Sequence, residues 1–199
     1  MVRTEADDLV VRARRGDEDA WAQLYGDHAQ RLVVWLGHLP HLDPAHDAED
    51  IAAEAWLTAA RKVHEFRGDR DDFAGWLFGI ARNHARSRSR SSTARSSTPV
   101  TPDAVTTWGR VDDPASEVVS TDLTRRLVAR LPQREAQVVA CLDVVGLDVA
   151  SASAALGISR TAVRVAHHRG LRRLRGLIEE VDAQPDLVED VTLRTSDGM

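Results

Sequence analysis

The sequence has a single cysteine, Cys141, set inside an apolar run. One thiol per chain excludes an intrachain disulfide framework and a cysteine-built metal site, and it suits a reducing compartment. Long apolar runs are lacking as well: none approaches the roughly 20 residues that a membrane span requires. Met1 to Asp8 also lack the apolar stretch of a signal peptide. A cytoplasmic chain without membrane insertion is therefore expected. There is no glycine-rich phosphate loop, no Gly-x-Ser-x-Gly nucleophile motif and no His-Glu-x-x-His pair, so no catalytic residue, cofactor or metal is expected and the chain reads as a non-enzyme. Eight histidines are present, with His38, His41 and His46 around one turn, but they lack the cysteine partner or helical spacing of a usual ligand set. Lysine is almost missing too. Lys62 apart, the basic residues are arginines, whose flat fork suits phosphates and guanine edges, although a GC-rich genome would give the same bias.

What is present is a globular balance of 43% hydrophobic and 29% charged residues over 199 positions, enough for two small cores. The net charge of -5 hides a strong segregation. Residues 123–178 carry 10 basic against 3 acidic side chains, whereas 96–122 carry 1 against 5 and 179–199 carry 1 against 7. One cationic module thus lies between two acidic stretches, which is the distribution to weigh when judging a nucleic-acid binder.

Apolar residues recur at helical spacing almost throughout, and no segment has the period of a strand. Leu9, Val10 and Ala13 predict a short helix, which Arg14-Arg15-Gly16-Asp17 interrupts before Ala20, Trp21 and Leu24 resume. The pattern from Gln23 to Leu39 ends near Pro40, and Asp47 is placed to cap a helix from about Ala48 to Phe66. Phe73, Trp76, Leu77 and Ile80 share a face of the next helix, which runs on into Arg82, Arg86 and Arg88. Residues 87–117, rich in Ser, Thr, Pro and Asp, read as a linker. Beyond it come a helix at Leu123–Leu131, a second from Gln133 to Val145 closed by Gly146, and a third from Val149 to Leu156. A Gly157-Ile158-Ser159 turn leads to a long helix from Arg160 to about Ile178. The expected fold is all-α: two small helical domains, 1–92 and 118–180, joined by a flexible acidic linker at 93–117 and followed by an acidic tail at 181–199.

A short helix, a glycine turn and a long helix with a polar start form the helix-turn-helix pattern, whose second helix enters the major groove. Arg160, Thr161 and Arg164 would face base edges, and Arg169, Arg172, Arg173 and Arg175 would neutralise phosphates. An ordinary helical bundle with a solvated arginine face has the same outline.

Resemblance separates the two. Trp21-Ala22-Gln23-Leu24-Tyr25, Asp47-Ala48-Glu49-Asp50-Ile51, Phe66-Arg67-Gly68 and Trp76-Leu77-Phe78-Gly79-Ile80-Ala81-Arg82-Asn83 resemble the first conserved domain of extracytoplasmic-function (ECF) sigma factors. Leu131-Pro132-Gln133-Arg134-Glu135, Leu156-Gly157-Ile158-Ser159 and Val163-Arg164 resemble the second, in the same order. The resemblance covers nearly all of 9–178. It implies a transcription initiation factor, monomeric when free, that binds the beta and beta-prime subunits of core RNA polymerase, promoter DNA and an anti-sigma factor.

By that resemblance Glu49, Asp50, Ile51, Glu54 and Trp56 meet core polymerase. Phe66, Arg67, Gly68, Asp69, Arg82, Asn83, Arg86 and Arg88 serve the minus-ten element, with Phe66 and Asn83 holding an exposed base and Trp76 packed in the core. Ser159, Arg160, Thr161, Arg164, His168, Arg169, Arg172 and Arg173 serve the minus-thirty-five element. Val165 and Ala166 depart from the serine and arginine usual in relatives, so the base contacts there are in question. A conventional operator-binding regulator is the alternative. The tail from Glu179 is expected either to be disordered or to mask the cationic helix.

Overall fold

The computed structural model describes residues 9–39, 48–95 and 123–183. The proposed cap at Asp47, the histidines His41 and His46, most of the linker and most of the tail lie outside them. Among the described residues eight α-helices follow one another: α1 (Leu9–Arg14), α2 (Glu18–Gly37), α3 (Ala48–Lys62), α4 (Arg70–Arg95), α5 (123–129), α6 (Gln133–Val139), α7 (Val149–Leu156) and α8 (Arg160–Ala183). Among the described residues there is no strand and no helix long and apolar enough to cross a membrane.

Local chemistry sets the breaks. Gly16, at φ 83°, takes the left-handed conformation that ends α1, and Asp17 caps α2 by accepting from Ala20 N at 3.0 Å. Asp69 caps α4 through the amides of Asp71 and Asp72. Asp148 caps α7 through Ser151 N at 2.6 Å, and Ser159 caps α8 through Ala162 N at 3.1 Å. Several boundaries differ from the sequence expectation. α3, expected to run to about Phe66, ends at Lys62 and gives way to a turn. α4 continues to Arg95, so the serine-rich stretch expected as linker begins as helix, propagated from a helix that the core-facing residues upstream have already nucleated. α8 likewise runs to Ala183, taking in the start of the acidic tail. The helix expected over Gln133–Val145 is instead an α-helix to Val139 followed by a π-helical turn, Ala140–Val144, with Val145 N bonded to Ala140 O at 3.1 Å.

The two halves pack directly on each other. Trp35, Phe73, Leu77 and Phe78 of the first half belong to one continuous buried cluster with Val138, Cys141, Leu156 and Val163 of the second. The most extensive contact between any two helices is that of α4 on α7. Glycine permits it: a methyl added at Gly75 would stand 2.9 Å from both Ala154 Cβ and Ser151 O. Arg31 of α2 strengthens the junction by donating to Val145 O at 2.8 Å and Gly146 O at 3.1 Å, and Ser151 Oγ donates to Asp71 O at 3.3 Å. Arg31, Arg70, Asp27, Asp71 and Asp148 surround a polar cleft there, with buried His28 at its wall.

Two outcomes follow from this junction. Alanine is favoured over glycine in a helix by about 1 kcal/mol, so Gly75→Ala should firm α4 while pushing α7 away. Cys141 lies across the boundary from Trp35, and burial pushes its thiol up to about 12. Its labelling by a maleimide should accelerate on the order of tenfold in Gly75→Ala; an unchanged rate would mean that α7 is not displaced.

The second concerns His28, whose ring nitrogens are both buried without a hydrogen-bond partner. Burial, with help from the charge of Arg31, lowers its pKa to about 4. Because the unfolded chain takes up this proton near the ordinary value of 6.5, stability is lost as pH falls from 6.5 toward 4, by about 2 kcal/mol between pH 7 and 5. Urea unfolding of the wild type should show that slope, and His28→Gln should flatten it.

Candidate nucleic-acid and polymerase interface

The turn between α3 and α4 is folded around an aromatic side chain. Glu65 N and Phe66 N bond back to Lys62 O and Val63 O, so the chain reverses as soon as α3 ends. The Phe66 ring then stacks on Trp76, with centroids 4.7 Å apart, and meets Phe73 edge-on at 6.1 Å. Gly68 passes beneath the ring: a Cβ there would stand 2.6 Å from Phe66 Cζ. Phe66 is therefore 8% exposed, while Trp76, assigned to the core from sequence, is half-buried at the surface. Both line a pocket of ≈ 580 Å³ together with Thr58, Lys62, Asn83 and His84. Asn83 is exposed in its lining, and Arg86, one turn further along α4, is exposed as well. A pocket with an aromatic wall, an amide and nearby cations can stack and hydrogen-bond an unpaired nucleobase.

The other assigned residues of this element have more than one task. Arg67 is exposed, and Asp69 is the cap of α4. Arg82 turns toward the second half, where its Nη1 lies 3.4 Å from the place a Cβ would take at Gly157; burial lowers its pKa. Arg88 bonds Glu54 at 2.6 Å and lies 3.6 Å from Asp50. That hydrogen bond is the main reason the Glu54 carboxyl sits below its ordinary pKa. His84 contacts both Glu54, at 3.3 Å, and Thr58, at 3.0 Å, so α3 and α4 are laced by polar contacts along the pocket's edge.

On α3, Glu49 and Asp50 are exposed and Glu54 is half-buried. Ile51 is fully buried, so it supports this face from beneath and offers no surface to a partner. Trp56 is half-buried against Tyr25, 5.0 Å away, and beside it Leu57 and Tyr25 are 58% and 56% exposed. An acidic face with an aromatic and aliphatic centre is suited to a basic protein surface.

The helix-turn-helix is built as its sequence suggests. Gly157, at φ 61°, ends α7 in the left-handed region, and Ser153 Oγ donates to Ile158 O at 2.6 Å across the turn. Val163, Ala166 and Gly170 form the buried stripe of α8. Arg160, Thr161, Arg164, His168, Arg169 and Arg172 lie on the exposed side. Of the two atypical positions, Ala166 is buried and can present nothing outward, whereas Val165 is 45% exposed beside Arg164. Arg173 is exposed but its Nε lies 2.8 Å from Glu135, a buried carboxylate of α6. It therefore ties α8 to α6. His167 similarly contacts Asp143 at 2.7 Å.

Sequence reasoning passed over three participants. Arg14 was read as part of a helix break, yet it reaches Phe66 and Gly68 from α1. Thr58 and His84 carried no signal beyond helical position. No group of histidine, cysteine and acidic residues among the described residues could hold a metal; His38 is buried with Nδ1 2.8 Å from Val34 O.

Comparison with known proteins matches this layout. The sigma-70 region 2 family profile matches residues 24–95, and that of sigma-70 region 4 matches 121–174. The ECF RNA polymerase sigma factor BldN of Streptomyces coelicolor is 27% identical over 175 residues, which are 87% of this chain and 66% of that protein. ShbA of Streptomyces griseus, also an ECF sigma factor, is 30% identical over 86% of this chain and 94% of its own length. SigF of Caulobacter vibrioides, another, is 32% identical over 87% and 94%. Among solved structures, CnrH in complex with the cytosolic domain of CnrY aligns with a TM-score of 0.60 at 20% identity, covering 86% of this chain and 96% of that one. The sigma factor RpoE of Bartonella quintana, in complex with the anti-sigma factor NepR, aligns with a TM-score of 0.61 at 20% identity, covering 81% and 98%. Regions 2 and 4, in this order on one chain, define a sigma-70-type transcription initiation factor. The chain belongs to the extracytoplasmic-function RNA polymerase sigma factors.

Proposed function

We propose that the chain binds the beta and beta-prime subunits of core RNA polymerase, uses its first half to open the minus-ten element and its second half to read the minus-thirty-five element. The half-open aromatic pocket beside Asn83 carries this reading, because it offers an unpaired base a wall, a hydrogen-bonding amide and cations on adjacent turns of one helix. The face of Glu49, Asp50 and Glu54, centred on Trp56 and Leu57, is the polymerase-docking surface. Arg160, Thr161 and Arg164 read base edges from the start of α8, and His168, Arg169 and Arg172 follow the phosphates.

Promoter binding also demands that the halves part. About 25 base pairs separate the two elements, and at 3.4 Å per pair that is roughly 85 Å, whereas α4 and α7 are in van der Waals contact. Polymerase supplies the free energy of separation by binding the parted state better. An anti-sigma factor, such as the one bound to the Bartonella relative, would act by preventing it.

Reconstitution with core polymerase tests this. The wild type should give transcripts from a specific promoter, and Asp50→Lys with Glu54→Lys should weaken core binding by about tenfold or more. Arg160→Ala with Arg164→Ala should leave core binding unchanged while costing at least about tenfold at promoters with a minus-thirty-five element. Tight binding to symmetric duplex sites as a dimer, with no affinity for polymerase, would overturn the proposal.

A further inference from the structure

We infer that Arg14 is a positioning residue for the base-accepting pocket, holding the Phe66–Gly68 turn in the shape that makes the pocket's wall. This rests on the function proposed above and adds to it a residue outside the α3–α4 region. Arg14 is the last residue of α1, half-buried, and its Nη2 donates to Phe66 O and, at 3.3 Å, to Gly68 O. The same guanidinium lies 5.9 Å from the centroid of the Phe66 ring. Its Nε is buried without a partner. One cation thus engages two carbonyls and an aromatic ring of a turn more than fifty residues away.

Geometry explains why this tie matters. The other hydrogen bonds of the turn's backbone are short-range: Arg67 Nη1 donates to His64 O at 3.1 Å, and Asp69 caps the helix that follows. Those bonds close the turn locally, and the Phe66 ring packs on Phe73 and Trp76 of α4, but neither ties the turn's backbone to α1. Arg14 supplies that tie, and its own base is firm. Arg12 Nε bonds Asp17 at 2.7 Å and Trp21 Nε1 donates to Ala13 O at 3.1 Å, so the α1–α2 corner is braced on both sides of Arg14. The Phe66 carbonyl is on the same residue as the ring that stacks on Trp76, so fixing one orients the other. Lysine can keep the charge, but its point ammonium lacks the planar fork that serves two acceptors while lying over a ring.

Two readouts separate this role from general stability and from the parent proposal. In the free protein, backbone hydrogen exchange at 64–69 should accelerate by about tenfold or more in Arg14→Ala and less in Arg14→Lys, with α6–α8 unchanged. Unchanged exchange at 64–69 would overturn the inference whatever the protein does with polymerase. In holoenzyme, Arg14→Ala should bind core polymerase as the wild type does and lose about tenfold of transcription from a duplex promoter. A template already unpaired at minus ten should recover most of it. Wild-type output from the duplex promoter would overturn the inference alone, as would an equal loss on both templates accompanied by loss of core affinity. Failure of the wild type itself to transcribe would sink the parent proposal instead.

Discussion

Everything in this molecule closes on α4. One side of that helix carries Phe73, Leu77, Phe78 and Ala81 into the first half, and another leaves Gly75 and Gly79 bare so that the backbone of α7 can lie against it. A helix that buries two faces has little left to expose. What remains is the strip holding Asn83, Arg86 and the rim of the aromatic pocket, and that strip is where the candidate base-binding chemistry is gathered. The position of the candidate site is thus a consequence of packing: its residues occupy the part of α4 that neither half buries.

The same economy sets the charge network. Arg88 is one of the cations expected to meet DNA, yet it bonds Glu54 on the face expected to meet polymerase. Both groups are partly solvated, so the pair contributes little to stability. The pair instead laces α3 to α4, since Arg88 also lies 3.6 Å from Asp50.

Most of the helices were legible because their caps and periods are local. Asp17, Asp148 and Ser159 cap the helices that follow them, and Gly157 takes the left-handed φ that its place in the turn suggests. The arginine face of α8 was equally legible, because alternation of Val163, Ala166 and Gly170 with charged residues decides which side is buried. What could not be read was anything that depends on approach between distant segments. Trp76 and Phe66 exchange their expected exposures because the turn folds Phe66 back over Gly68, a contact no periodicity encodes. Arg14 looked like a breaker since its partners are carbonyls, which leave no trace in side-chain pattern. Composition also misplaced the end of α4, since a serine-rich stretch remains helical when it continues an anchored helix.

The joined arrangement of the halves places a limit on how strongly they can hold each other. If the parted state is populated to a fraction f in the free chain, any partner that needs it binds with an affinity reduced by that fraction. A junction worth about 1.4 kcal/mol weakens such binding tenfold, and one worth about 4 kcal/mol weakens it nearly a thousandfold. The junction seen here combines a glycine-lined helix contact with an arginine that donates to two carbonyls, which is more than a fleeting touch, yet it includes exposed polar groups that water readily replaces. Such an interface would lower the affinity of the free chain for any partner that needs the halves apart. The Gly75 contact is the natural place for that balance to be set, because a single methyl there changes the closest approach of the two halves by meeting Ala154 and Ser151, neither of which is among the candidate site residues.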